Sequence, residues 1–226
     1  MILPHPNAPE GSVATLSSYS ASVFPPTAGI LCRNTAPLIS FAFDLISRGV
    51  GVRVLGREIG AGLVSIITAC KATSLDELEM ALIRRRTSEA KTCRRNGNEQ
   101  GACAVEDKYD CLNVFVQQAR TKNHDIPRLC HSIEDLFDEK RRGLLTLSTI
   151  HKAKGLEWPT VFILDKEKYM PSKWATQVWE KRQEENLLYV ARTRARLDLR
   201  YIKSGCWDAD SGRGIEASGM PQAAIC

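Results

Sequence analysis

The sequence predicts an α/β domain built on a parallel sheet, and three stretches carry that prediction. Residues 30–55 run strand, helix, strand within about 25 residues, a unit that the crossover rule makes parallel and right-handed. Residues 144–149 and 161–164 read as two further strands, the second short and apolar enough to be buried on both faces. A helix over 177–190 then leads to a closing strand over 197–202. Composition agrees: with 43% hydrophobic and 25% charged residues in 226, neither disorder nor membrane embedding is expected. No stretch approaches the roughly 18 apolar residues of a membrane span. The opening Met-Ile-Leu-Pro-His-Pro lacks a basic start and an apolar run, so no signal peptide is expected.

Each element has a local reason. Pro4, Pro6, Pro9, Pro25 and Pro26 stand among serines in residues 1–28, which read as an extended lead-in. Thr35 and Pro37 supply a helix start, Leu38, Phe41, Ala42, Leu45 and Ile46 follow at helical spacing, and Gly49 stands where that helix stops. Residues 50–55 are β-branched and alternating. Residues 71–142 change character and read as a helical insertion. Ser74-Leu-Asp-Glu77 is a capping box, with Leu75, Leu78, Ala81 and Leu82 as the apolar stripe behind it. Arg84, Arg85, Arg86, Lys91, Arg94 and Arg95 crowd the next stretch, which ends in Asn96-Gly97-Asn98. Residues 112–119 look helical, and Ser132 to Asp135 is expected to open another short helix. Residues 205–226 are small and polar and read as a disordered tail.

Eight cysteines and four histidines offer no metal site, because no Cys-x-x-Cys spacing occurs and no histidine cluster lies near them. Free thiols in a reducing cytoplasm are expected. A net charge of +5 leans weakly toward anionic partners and by itself does not indicate nucleic acid.

Two segments carry chemistry. Residues 147–159, Leu-Ser-Thr-Ile-His-Lys-Ala-Lys-Gly-Leu-Glu-Trp-Pro, place hydroxyls, an imidazole, two ammonium groups, a glycine and a carboxylate in one interstrand connection. Hydroxyls and lysines after a strand's end suit phosphate oxygens, and Glu157 could accept from a sugar hydroxyl. Composition alone leaves a merely solvated loop open. Residues 183–196, Gln-Glu-Glu-Asn-Leu-Leu-Tyr-Val-Ala-Arg-Thr-Arg-Ala-Arg, join an amphipathic helix to arginines at 192, 194 and 196. An arginine fixed at such a junction can reach a γ-phosphate, and an exposed basic stripe remains the other reading.

In this order the two segments resemble motifs V and VI of the UvrD/Rep/PcrA-like superfamily 1 DNA helicases. Residues 29–65 resemble the segment opening the second RecA-like domain of that family. With Pro-Ser-Lys-Trp-Ala at 171–175, the similarity covers roughly residues 29–202. The resemblance implies a C-terminal RecA-like domain over 29–204. It implies that Arg194 of the Thr-Arg-Ala core contacts the γ-phosphate of ATP and that Glu157 contacts the ribose, with Lys154 and Gly155 on the nucleotide side. It also implies that Thr149, His151 and Lys152 contact single-stranded DNA. Tyr189 and Gln183 are read as packing and helix-surface positions, and Arg33 and Arg57 receive no role.

A phosphate cradle of the form Gly-x-x-x-x-Gly-Lys-[Ser/Thr] is absent from the 226 residues. Gly56 to Gly62 is glycine-rich without a lysine and hydroxyl pair, and a turn or helix cap is its expected use. No apolar strand ends in Asp-Glu to hold magnesium. In the resembling family ATP sits between two RecA-like domains, so the Mg ligands are expected on an N-terminal helicase domain, supplied by another chain or lost by truncation. The expectation is the motif V and VI half of a 3′ to 5′ helicase with little ATP turnover alone. A non-catalytic DNA-binding module using residues 84–95, and an inactive remnant, are the alternatives. Repair, phage replication and plasmid maintenance are not distinguished.

Overall fold

Six parallel strands carry the fold in the computed structural model, which describes residues 10–140 and 144–208. They are β1 Ser12–Thr15, β2 Gly29–Cys32, β3 Val52–Val54, β4 Leu145–Thr149, β5 Trp158–Leu164 and β6 Ala195–Ile202. Their order across the sheet is β1-β6-β5-β2-β4-β3. The strand, helix, strand unit of residues 30–55 is therefore present, with β4 inserted between its two strands. The architecture is the parallel sheet flanked by helices that the sequence predicts, and it is consistent with a RecA-like fold.

Alternation along the strands sorts the two faces. Ile30, Cys32, Val52, Val54, Leu145, Leu147, Phe162 and Leu164 join one buried core, while Leu31, Val161, Ile163 and Leu199 join a second. Successive strand side chains point to opposite faces, so a doubly covered strand tends to be apolar throughout; β4 departs from this with the buried Thr146, Ser148 and Thr149. On the first face lie α1 Thr35–Ser47, α2 Arg57–Cys70, α4 Glu99–Thr121 and α5 Ile126–Leu136, with α3 Leu75–Arg95 packed on α4 as an antiparallel hairpin. On the second face lie α7 Val178–Arg192 and the connection between β4 and β5. A short helix, α6 Lys166–Tyr169, follows β5. No single helix among the described residues is long and apolar enough to cross a membrane.

Glycine is required at Gly29, where a Cβ would lie 2.6 Å from the Trp158 indole. Gly56 takes φ 119° as the N-cap of α2, so the glycine-rich run serves as the expected helix cap. Ser74 Oγ accepts the Glu77 amide at 3.2 Å, but the Glu77 carboxylate turns one residue further back and accepts from Thr73 N at 2.7 Å.

Four sequence expectations are corrected. The lead-in is not merely extended: residues 12–15 pair with β6, and Tyr19 and Phe24 are buried at 1% and 4% exposure. An edge strand whose side chains are all exposed has no hydrophobic period to reveal it. The helix expected from Ser132 starts at Ile126, because Asp125 caps it by accepting the Arg128 amide at 3.0 Å. Ser132 sits mid-helix and donates back to Arg128 O at 2.8 Å. The short helix expected over 112–119 is one part of the longer α4.

The tail expected from residue 205 begins as part of the core. Trp207 stacks on Phe41 with ring centroids 5.5 Å apart, and the Arg48 guanidinium lies 4.1 Å from its ring centroid. Asp208 N donates to Tyr19 O at 3.0 Å. Residues 209–226 lie outside the described residues. Trp207→Ala is expected to cost about 3 kcal/mol in urea unfolding, as loss of a packed aromatic does. Val13→Ala, at a position 71% exposed, should stay within about 0.5 kcal/mol.

Candidate functional site

The carboxyl ends of the strands open onto a cleft of about 1670 Å³, the place where open α/β sheets hold ligands. Its floor is made by residues just beyond the strand ends: Arg33 and Asn34 after β2, Thr149 and His151 after β4, Asp165 after β5 and Ser204 after β6. Helix α4 forms one wall, and the 172–175 loop with α7 forms the other.

Of the sequence-predicted residues, Thr149, His151, Lys152 and Lys154 line this cleft together. Thr149 ends β4 at 8% exposure, and its carbonyl accepts the amides of Lys152 and Ala153 at 3.0 Å each. That turn projects the three following polar residues into the opening. His151 lies exposed at the cleft floor. The surrounding protein, and then the Arg33 and Lys154 charges, hold its imidazole below the ordinary value. Lys152 pairs with Glu58 at the start of α2, a bond that lowers the Glu58 carboxyl.

Gly155, Glu157 and Arg194 do not line the cleft. The connection descends across the second face, fixed midway by the fully buried Ala153, and enters β5 from its amino end. There Arg194 holds both neighbours of Glu157. Its Nη1 donates to Leu156 O at 3.1 Å, and its own carbonyl accepts Trp158 N at 3.0 Å. Arg194 Nε also donates to Val190 O at 3.1 Å, and Nη2 to Thr193 Oγ1 at 3.0 Å. Glu157 stays exposed and makes no hydrogen bond or ion pair. Gly155 takes φ +82° with open space around its Cβ position. The predicted residues thus form two groups, one at each end of the sheet, with Arg194 of the α7–β6 junction joining Gly155 and Glu157 at the amino end. An unengaged carboxylate beside a guanidinium with N–H groups to spare fits the sugar and phosphate of a nucleotide.

Sequence reasoning missed a part-buried ion pair in the cleft. Arg33 Nη2 donates to Glu184 Oε1 at 3.0 Å, with Nε bracketing both carboxylate oxygens at 3.2 and 3.3 Å. Ser172 N adds a third donor at 3.1 Å. The pair ties β2, α7 and the 172 loop together. Nothing in the local sequence of either residue announces a partner 151 positions away. Gln183 is exposed on α7, as a helix-surface position, whereas Tyr189, expected to pack, is 60% exposed.

Most acidic residues on the cleft walls are engaged internally; Asp44, which also lines it, makes no such bond, and burial raises its carboxyl. Asp107 accepts the Thr35 and Ala36 amides at the start of α1 at 2.8 and 3.0 Å, Glu106 pairs with Arg94, and Asp110 with Arg86. Asp165 accepts both the amide and the hydroxyl of Ser204, at 2.8 and 2.7 Å. Lys154 makes no ion pair, nor does Lys173, whose ammonium lies near the Trp174 ring. Arg86 and Arg94 of the basic run face α4, while Arg84, Lys91 and Arg95 face solvent. Cys32 is buried at the end of β2, and burial pushes its thiol up to about 12. The cysteines of the described residues are free, as expected. Among the described residues no group of three or more His, Cys, Asp or Glu could hold a metal ion.

The pattern that defines the UvrD-like helicase C-terminal domain matches residues 82–204, more than half of the sequence. The chain belongs to that family. Over 78 residues it is 40% identical to the ATP-dependent DNA helicase UvrD1 of Mycobacterium leprae, covering 32% of this chain and 10% of that protein. Over 117 residues it is 32% identical to the ATP-dependent DNA helicase srs2 of Schizosaccharomyces pombe, covering 44% of this chain and 13% of that protein. The chain therefore covers about a tenth of the relatives it matches.

Two outcomes test the geometry. Arg33→Met leaves the Glu184 carboxylate, whose side chain is 10% exposed, without its cation. It is expected to cost about 3 kcal/mol in urea unfolding, with much of the loss recovered in the Arg33→Met, Glu184→Gln double variant. For His151, a folded pKa below the unfolded value means that the unfolded chain binds more protons as pH falls. Stability should therefore fall as pH drops below about 6.5. His151→Gln should flatten that part of a melting-temperature profile.

Proposed function

We propose that this chain is the motif V and VI half of an ATP-dependent 3′ to 5′ DNA helicase, working in the cytoplasm. The observation that carries the reading is the division of one connection between two ends of the sheet. Thr149, His151 and Lys152 are the single-strand contacts at the carboxyl end. Arg194 and Glu157 are the γ-phosphate and ribose contacts at the amino end, with Gly155 allowing close approach. Lys154 was assigned to the nucleotide side, but its place in the cleft favours the strand.

When bound, ATP supplies the free energy of its hydrolysis. The chain's own residues bind and orient. Arg194 offers the two guanidinium N–H groups that its three side-chain bonds leave over. Glu157 is free to accept from a hydroxyl. Because Arg194 also holds the peptides on either side of Glu157, a pull on its guanidinium moves the end of the connection whose other end is Thr149. Loss of the Leu156 bond on nucleotide contact is thereby linked to the strand contacts.

The described residues do not fit a magnesium site, and no step through the ion is derived for this chain. Its ligands and the phosphate cradle belong to an N-terminal helicase domain, on this or another polypeptide. The 226 residues alone should then turn over no ATP at a meaningful rate. A non-catalytic DNA-binding role is the second reading, and the free Arg84, Lys91 and Arg95 favour it.

The 226-residue chain should bind oligo(dT) with an affinity that falls as salt rises, measured by fluorescence anisotropy. Lys154→Ala should reduce the salt slope by about one phosphate contact. DNA-stimulated ATP turnover by the purified chain would count against the half-enzyme assignment. An unchanged slope would remove Lys154 from the strand.

A further inference from the structure

Facing the motif V turn across the cleft is a tryptophan that the contacts above leave unexplained. Trp174 lines the cleft with Thr149, His151, Lys152 and Lys154 and is 37% exposed. Trp179 and Tyr189 are more exposed, at 55% and 60%, but do not line it. An indole left in water forgoes the gain of burial, and here the loop gives it little room to retreat. Ala175 N donates to Ser172 O at 2.9 Å, and Thr176 N to Trp174 O at 3.0 Å. Trp174 N points at Ser172 Oγ, 3.4 Å away. Ser172 is itself tied to the Glu184 carboxylate that Arg33 holds.

Two cations lie near the ring. The Lys173 ammonium is 5.1 Å from the ring centroid, and the Arg94 guanidinium, reaching from the tip of α3, is 5.9 Å away. Arg94 is restrained by Glu106 at 2.8 Å and Glu99 at 3.4 Å. A fixed aromatic face in an open cleft, with positive charge beside it, is the chemistry that holds unpaired nucleotides. The base stacks on the ring, and the Lys173 ammonium, which pairs with no carboxylate, meets a flanking phosphate. Every base has a π-face, so such a platform adds affinity without sequence preference.

We propose that Trp174 is a stacking platform for an unpaired nucleobase, positioned by Ser172 and the Arg33–Glu184 pair. The proposal rests on the reading of the cleft as a single-strand site. It adds a base contact to what is otherwise a set of phosphate contacts.

The test compares oligo(dT) with an abasic oligomer of the same length, hence the same phosphate charge, by anisotropy on the full 226-residue chain. The wild type should prefer oligo(dT) by roughly tenfold, the scale of one stacked base. Trp174→Ala should lose most of that preference while keeping its affinity for the abasic oligomer and its salt slope. Trp174→Phe, which keeps a π-face, should retain most of the preference and guards against a merely structural loss. A preference for oligo(dT) that survives in Trp174→Ala would overturn the proposal, as would a wild type that binds both oligomers equally. If the wild type binds neither, the single-strand reading itself fails and the platform fails with it.

Discussion

One side chain decides how the two ends of this domain are related. Arg194 lies just before β6, and through its guanidinium and its own carbonyl it fixes both peptides that flank Glu157. Without that double hold, the connection from β4 to β5 would be a long polar loop anchored only at the buried Ala153. With it, the last residues of the connection are in register with β6, where Trp158 stands opposite Ala195. The first residues are fixed by the Thr149 carbonyl turn. The connection from β4 to β5 is therefore a strut rather than a loop, and Arg194 is what makes it one.

The cleft at the other end follows from the same economy of charges. Its walls carry many carboxylates, yet these are engaged by α1 amides, by Arg33, Arg86 and Arg94, by Lys152 and by Ser204. Internal partners hold most of the acidic side chains, Asp44 excepted, while Lys154 and Lys173 pair with no carboxylate. A count of charged residues over the cleft would miss this, as the +5 of the whole sequence does. What matters for an anion is which cations lack partners.

The sheet was legible because doubly covered strands are apolar throughout and short. Residues 161–164 announce themselves in that way, whereas β4 alternates Leu145 and Leu147 with the buried Thr146, Ser148 and Thr149. The candidate residues of both groups were legible because their types and order are unusual. What the sequence hid depends on distance. Arg33 and Glu184 meet across 151 positions, and neither has a local pattern that marks it as half of a pair. Tyr19, Phe24 and Trp207 lie in segments rich in proline or small residues, and only the fold brings their rings together with Phe41. The division of the site between two sheet ends was equally hidden, since the residues concerned are near neighbours in sequence.

The central claim is that the strand of nucleic acid lies at the carboxyl end of the sheet while the nucleotide contacts lie at the amino end. Hydrogen exchange of the chain with and without oligo(dT) tests it most directly. The account predicts added protection at residues 149–154 and 172–176, with residues 194–196 unchanged. Protection confined to 194–196, or to the outer face of α3 around residues 84–95, would contradict it.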